Sequence, residues 1–464
     1  MEFLKIIEVI KEVKMTGLKK VFAFALVMAF VATALFAQGA KATEDSSKTD
    51  LRVLYYIDMS EPNSANEIEM IWDKFSEENP DINVIREDLF NEPFHQKTEA
   101  YVASGNVPDV VYMWPSGRST SLQTTHSVKD LMPFLEKDGL VDDYAPAALA
   151  KQAAGYLAEL PNGITSSHMM FANKKVLEEN GLEMPETMDD LIAMVPVLKA
   201  KGIEVIGMDN MDSWVMQSCL FSAVVGRMGG ADWFDKLDAG EIDFEDDWFV
   251  DSLRVIDELY SEGVINRNTL NSAYGSGRGN FALGKAAFFI DGDWSCAAFQ
   301  TDITTGKALL SRETQANDIE LIVFPAIDGE VVHNTTSGVV GTGFGMSSKL
   351  EPGSKQEEAA WRLIKYLQGV YVQTYRLQTG ASFPSNLNVD VDKVIEENNL
   401  EPLVGKRARF YQEYSTTPVI DGVLHSDVYN VINVGLQEIG LGDKTPEQVA
   451  SEVQDAWETW KASN

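Results

Sequence analysis

Cysteine is nearly absent from this chain: 464 residues carry two, Cys219 and Cys296. Their spacing has no metal signature, and the two either pair in an oxidising compartment or remain buried thiols. Histidine is also scarce, with five residues and none in an H-E-x-x-H arrangement or paired with cysteine at zinc spacing. Basic residues are outnumbered, 38 against 71 acidic, which leaves a net charge of −33. Such a chain repels phosphate backbones and anionic lipid surfaces, so nucleic acid is excluded as the expected partner. Most of this charge reads as solvated surface. Internal repeats and low-complexity tracts are lacking. What remains is globular: 45% hydrophobic and 23% charged residues, at a length that fits two large domains or three smaller ones.

The longest apolar run, Val21 to Phe36, follows Lys19 and Lys20 and precedes Ala40-Lys41-Ala42. Basic n-region, apolar core and small-x-small site make residues 1–42 a secretory signal peptide, with Ala37 as an alternative cleavage point. The run is short for a membrane span. The acidic, amphipathic residues 1–14 are foreign to such a signal, and Met15 is the expected start. Cleavage removes six Lys and three Glu, taking the net charge from −33 to −36. With no cysteine near the cleavage site, lipid attachment there is not expected. The mature chain is therefore expected to be soluble and periplasmic or extracellular.

Beyond a polar linker at 43–49, strands and helices alternate. Leu51–Ile57, Ile82–Ile85 and Val110–Met113 read as strands. Ser64-x-x-Glu67 reads as a capping box for a helix with Ile68, Ile71, Trp72 and Phe75 on one face. Later helices are expected over Leu182–Lys201, capped at Thr187 and kinked or split at Pro196; over Trp248–Tyr260; after Ser354-x-x-Glu357; and from Thr445-Pro446 onward. The order implies an α/β fold with a largely parallel sheet.

Motifs for catalysis or cofactors fail in detail. Gly279-x-x-x-x-Gly284-Lys285 continues with Ala286 where a phosphate loop needs Ser or Thr, and its interior is bulky. Gly338, Gly341, Gly343 and Gly345 lack dinucleotide spacing. Asn388-x-Asp390-x-Asp392 has Lys393 where a calcium loop needs Gly. No G-x-S-x-G elbow occurs. Neither a cofactor nor a metal is expected. Asp58, Glu61, Asp291 and Asp293 are candidates for a glycosidase carboxylate pair, a weak signal among 71 acidic residues.

Phe281-x-x-Gly284-Lys285-Ala286-Ala287 followed by Gly292-x-Trp294 resembles the pattern of the family 1 extracellular solute-binding proteins, which serve bacterial ABC importers of sugars. Pro108-Asp109-Val110-Val111, Pro185-Glu186-Thr187-x-x-Asp190-Leu191, Phe324-Pro325, Gly380 to Pro384 and Gly442-x-x-Thr445-Pro446-Glu447 resemble further family segments in the expected order. Phe171-Ala172-Asn173-Lys174 is a partial match, because Ala172 separates the aromatic residue from Asn. The resemblance implies a two-lobed periplasmic-binding-protein fold of type II-like organisation, with a ligand cleft between the lobes and several hinge crossings. It implies a first lobe of 50–165 plus 326–369 and a second of 166–325 plus 370–464. It also implies a monomeric, non-catalytic receptor that binds a sugar or oligosaccharide and delivers it to membrane permease subunits. A non-sugar solute (polyamine, phosphodiester or peptide) or a secreted glycoside hydrolase are the alternatives.

A sugar presents apolar C–H faces and a ring of hydroxyls, so its site needs aromatic platforms and polar partners. Trp114, Trp214 and Trp294 are the stacking candidates, because they lie at strand ends or in loops with polar neighbours; Trp72, Trp361, Trp457 and Trp460 have core spacing, and Trp233 is ambiguous. Ser116 and Arg118 follow Trp114, and Asp291 and Asp293 precede Trp294. Asp58 either meets ligand or caps its loop. His168 is either a ligand group or a buried structural residue. Tyr274 and Arg278 flank YGSGRGN, read as a lid or a mobile loop. Ser337, Gly338 and Arg376 complete the candidates.

Overall fold

The computed structural model describes residues 48–463 apart from 115, 116, 150, 153 and 398; the signal-peptide reading and the Ser116 call lie outside the described residues. In chain order the strands are β1 (Thr49–Tyr56), β2 (Ile82–Leu89), β3 (Val110–Met113), β4 (Leu160–Pro161), β5 (Ile164–Ser166), β6 (Met169–Asn173), β7 (Glu204–Gly207), β8 (Ala286–Asp291), β9 (Ile319–Ile322), β10 (Thr335–Val340), β11 (Gly343–Met346) and β12 (Ser415–Pro418). They form three sheets, in the orders β2-β1-β3-β11-β4, β7-β8-β6-β9 and β12-β10-β5.

The first two sheets each carry a core. Leu51, Val53 and Val110 on the first pack with Trp72, Phe344, Leu363 and Ile364. Met170, Ile206, Phe288 and Ile290 on the second pack with Leu253, Ile256 and Leu436. These apolar strand positions are nearly all inaccessible to water, and their burial supplies the main drive for each lobe. The small third sheet joins the lobes. The chain leaves the first sheet at β4, passes through β5 and enters the second at β6; it returns from β9 through β10 to β11. A further crossing runs beside β5, where Phe383 pairs with Ile164.

The sheets are mixed rather than largely parallel. β1 runs parallel to β2 and β3, but β11 is antiparallel to β3 and β4, and β6 is antiparallel to both its neighbours. Strands that arrive from the other lobe enter the sheet in the reverse direction, which βαβ reasoning within one lobe does not anticipate. Ser64-x-x-Glu67 is not a capping box. Asn63 holds the cap position at φ 65°, the Ser64 hydroxyl donates to the Asp58 carbonyl (2.7 Å), and Glu67 accepts from the Tyr55 hydroxyl. Thr187 does cap its helix, in a reciprocal box with Asp190, and the helix Met188–Lys199 runs unsplit through Pro196, which sits in its last turns. Ser354 caps Lys355–Leu367, and Pro446 opens Pro446–Ser463. Trp233 is fully buried in the second core. Both cysteines are buried free thiols. Among the described residues no helix is long and apolar enough to cross a membrane.

Glu159, next to β4, is fully buried, and neither carboxylate oxygen makes a well-formed hydrogen bond. Burial pushes its carboxyl well above the usual range, opposed only by the Gly343 backbone N–H. Below the unfolded value of 4.5 both states hold the proton and the group is neutral to stability. Above it the unfolded chain ionises while the folded chain resists, so stability falls as pH rises toward the folded pKa. Glu159→Gln is expected to be more stable than the parent by about 1–3 kcal/mol at pH 8, with the difference shrinking toward pH 4. Urea unfolding across this range checks it; parallel stability–pH curves for the two proteins would contradict it.

Candidate functional site

A cleft of about 330 Å³ lies where the two lobes meet, within the range of small-molecule sites. One wall is built at the C-terminal ends of β1 and β3, where α/β sheets place ligands. Tyr56 ends β1 and stacks on Tyr112 of β3, centroids 5.8 Å apart at 20°. Trp114, one residue past β3, meets Tyr56 edge-on at 5.1 Å. The opposite wall follows β8. Trp294 sits 6.2 Å from Trp214, and Trp214 sits 5.1 Å from Tyr274.

The Gly-x-Trp spacing has a steric cause. The Trp294 ring folds back over Gly292, where a Cβ would fall 2.2 Å from ring carbon. The Trp294 indole N–H then donates to the Tyr274 hydroxyl (2.5 Å) and to Asp291 (3.1 Å). Asp291 is buried behind the wall and also accepts from Ser295 (2.6 Å), so it orients the aromatic groups rather than facing the cleft. The Trp214 indole N–H is buried and has no hydrogen-bond partner.

YGSGRGN is neither a lid nor a loose loop. Its second half is the helix Ser276–Ala282, which begins where the Asp209 carboxylate accepts from the Gly275 (2.9 Å) and Gly277 (2.8 Å) amides and from Ser272 (2.7 Å). Burial raises Asp209 to about 6 despite these bonds. The helix carries Arg278, 5% exposed, which donates to Ser295 (3.1 Å), to Tyr274 (2.9 Å) and to Glu61 on the other lobe.

Arg118 bridges the lobes a second time. It donates to Asp421 (3.0 Å) and lies 5.4 Å above the Trp214 ring. Its other side meets His95 Nε2 at 3.1 Å, and burial together with Arg118 lowers His95 to about 3, so the imidazole is a neutral acceptor. Gly117 is pressed against the Asp421 backbone, where a Cβ would fall 1.4 Å from the carbonyl oxygen. With Asn63 bonded to Thr301 and Ile303, these contacts hold the lobes together across the cleft.

Of the expected site residues, Asp58, Trp114, Arg118, Trp214, Tyr274 and Trp294 line the cleft. Asp58 also caps its loop by accepting from the Ser60 amide (2.8 Å). Others sit behind the wall. His168 is fully buried; Nδ1–H donates to the Cys219 carbonyl (2.6 Å), Nε2 accepts from the Phe324 amide (2.9 Å), and burial lowers it to about 3. Asp293 pairs with Arg407. Ser337 bonds to Ser167 (2.8 Å), and Ser167 is the one on the cleft. Gly338 allows strand-to-strand approach, since a Cβ there would meet Thr416 at 3.1 Å. Arg376 is buried and donates to Asn162 (2.5 Å). Sequence reasoning missed Tyr56, Tyr112, His95 and Asp421, and read Glu61, which lines the cleft, only as a candidate glycosidase carboxylate. The two tyrosines had a signal, because each lies near the C-terminal end of a strand beside Trp114. Asp421 and His95 had none.

Two α/β lobes that share a closed aromatic cleft and are joined by a three-stranded hinge sheet define a bilobal solute-binding protein. The chain belongs to the bacterial extracellular solute-binding protein family, whose sequence profile matches residues 60–373, more than half of its length. A probable sugar-binding periplasmic protein of Mesorhizobium japonicum is 24% identical over 292 residues, covering 58% of this chain and 66% of that relative, just under two thirds. Among solved structures, one from work on xylan utilization by the thermophilic bacterium Caldanaerobius polysaccharolyticus superposes with a TM-score of 0.77 at 21% identity, covering 88% of this chain and 99% of its own. A chitin oligosaccharide binding protein gives 0.76 at 20%, covering 89% and 99%. These structural likenesses establish the two-lobed fold.

Proposed function

We propose that this chain is a non-catalytic receptor that captures a sugar or oligosaccharide in the interlobe cleft and delivers it to the permease of an ABC importer. The observation that carries this reading is the pair of facing aromatic walls, Tyr56–Tyr112–Trp114 and Trp214–Tyr274–Trp294, with polar groups between them. Rings stack on sugar C–H faces; Asp58, Glu61, Arg118 and Arg278 serve hydroxyls. Binding of related proteins to sugars supports the same class. The carboxylates Asp291 and Asp293 are tied into buried networks, which favours binding over acid–base turnover. Capture occurs by lobe closure about the hinge sheet, with Arg118–Asp421 and Arg278–Glu61 forming as the cleft shuts. The first lobe comprises 50–165 and 326–378, extended past the expected 369 because Val372 and Tyr375 share its core, and the remainder of the mature chain forms the second. The protein acts as an exported monomer.

A ligand that binds only the folded state raises the melting temperature with its concentration. Melting the mature chain against a panel of xylo-, chito- and malto-oligosaccharides is expected to show such a rise for one class. A panel without any rise, alongside turnover of a chromogenic glycoside, would replace receptor by hydrolase.

A further inference from the structure

The charged groups of the cleft do not balance. Among the described residues four carboxylates line it, Asp58, Glu61, Glu67 and Asp421, against two guanidiniums, Arg118 and Arg278, and no lysine. Both guanidiniums are taken. Arg118 is held by Asp421 (3.0 Å), and Arg278 by Glu61 and, behind the wall, by Asp291 (3.5 Å). Glu67 has Arg376 at 3.8 Å. His95 is neutral and adds no charge. Asp58 is left over. Its Oδ1 accepts from the Ser60 amide (2.8 Å) and hydroxyl (2.6 Å); among the described residues its Oδ2 has no partner and no cation pairs with it.

The aromatic faces divide in the same way. In the second lobe Arg118 lies 5.4 Å from the Trp214 centroid and Arg278 4.9 Å from that of Tyr274, so both rings already carry a cation. In the first lobe Tyr56 comes just before Asp58 and packs on Tyr112 and Trp114; among the described residues no lysine or arginine lies over these three rings. An unclaimed carboxylate thus stands beside unclaimed aromatic faces. Water offsets such a charge while the cleft is open. Closure on a ligand expels that water, and a carboxylate left without a counterion then becomes costly. A ligand hydroxyl would give Asp58 a hydrogen bond and leave its charge in place. An ammonium supplies the hydrogen bond and the opposite charge together, and the negative faces of the rings attract it as well. The net charge of −33 draws the same class of ligand toward the protein.

We infer that the captured saccharide is cationic, a deacetylated amino sugar whose ammonium is held between Asp58 and the first-lobe rings. The inference rests on the sugar reading above and names the class of sugar; Asp58 serves the amine while the other polar groups serve hydroxyls. Calorimetric titration at pH 6 tests it with three series of equal chain length: deacetylated chito-oligosaccharides, cello-oligosaccharides, which carry a hydroxyl in place of each ammonium, and N-acetylated chito-oligosaccharides. The deacetylated series is expected to bind about 10-fold or more tightly than either of the others, with the preference shrinking as salt is added. Asp58→Asn keeps an oxygen for the Ser60 amide and removes the charge, and is expected to cut the preference to about 2-fold or less. The preference is a ratio within each variant, so a general loss of folding does not mimic the effect. Equal or tighter binding of the hydroxyl or acetyl series, or a preference that survives Asp58→Asn, overturns the ammonium site while leaving a sugar receptor in place. Binding of spermidine with no saccharide bound, or no binding in any series, overturns the sugar reading together with it.

Discussion

Asp293→Ala is expected to lower the unfolding free energy by about 3–5 kcal/mol, the largest effect on stability of any single change considered. The carboxylate is fully buried and accepts from Arg407 Nε (2.8 Å), from Arg407 Nη2 and from the Tyr411 hydroxyl. Without it, Arg407 keeps only the Gly380 carbonyl (2.6 Å) and becomes a buried, unpaired cation. The consequence reaches the hinge. The Asp293 amide donates to the Ser166 carbonyl (2.9 Å), and Tyr411 accepts from the Ser166 amide (2.7 Å), so the pair fixes β5 at the lobe crossing. Burial raises the Asp293 pKa, and Arg407 opposes that rise. A paired replacement by apolar residues, Asp293→Leu with Arg407→Met, is expected to recover most of the loss, because no charge is then left uncompensated. Urea unfolding followed by far-UV circular dichroism measures both. A loss below about 1 kcal/mol for Asp293→Ala would show that the pair is not the hinge anchor.

Ligand affinity is expected to respond most strongly to Trp214→Ala and Trp294→Ala. Each removes one ring of the second-lobe wall, and aromatic anchors in desolvated sites cost 2 kcal/mol or more when truncated. That corresponds to a loss of roughly 30-fold or more in affinity. Trp214→Ala also removes the unpartnered N–H and the ring beneath Arg118. Trp294→Ala leaves Asp291 and Tyr274 without their indole donor, so it is expected to lower the melting temperature as well. Trp214→Phe keeps a ring but not the N–H, and is expected to fall between the parent and Trp214→Ala. Equal affinity for parent and both alanine variants would move the binding site away from this cleft.

The two-lobed organisation was legible because the family segments occur in order along the chain, and because the spacing of Gly292-x-Trp294 answers a steric requirement, the ring of Trp294 lying where a Cβ on residue 292 would be. Trp114, Trp214 and Trp294 stood out as tryptophans in polar surroundings at strand ends, and all three line the cleft. His168, Asp293 and Arg376 were misleading for one reason. Polar residues near a lobe crossing are needed either to meet ligand or to satisfy the backbone where regular pairing breaks, and sequence does not distinguish the two. His168 spans the Cys219 carbonyl and the Phe324 amide, and Arg376 serves Asn162. The bridges Arg118–Asp421 and Arg278–Glu61 join residues 303 and 217 positions apart. No local pattern encodes such pairs. They follow from how the lobes meet, as does the reversed direction of β11 in the first sheet.

A saccharide bound in this cleft lies between the two aromatic walls. Tryptophan fluorescence of the mature chain, titrated with the binding oligosaccharide class, reads that contact directly, since Trp114, Trp214 and Trp294 line the cleft while Trp72, Trp233, Trp361 and Trp457 are buried in the cores. The expected result is a saturable spectral change in the parent that is lost in the Trp214→Ala, Trp294→Ala double variant. A saccharide that binds by calorimetry without any spectral change, or a change that persists in the double variant, would contradict it.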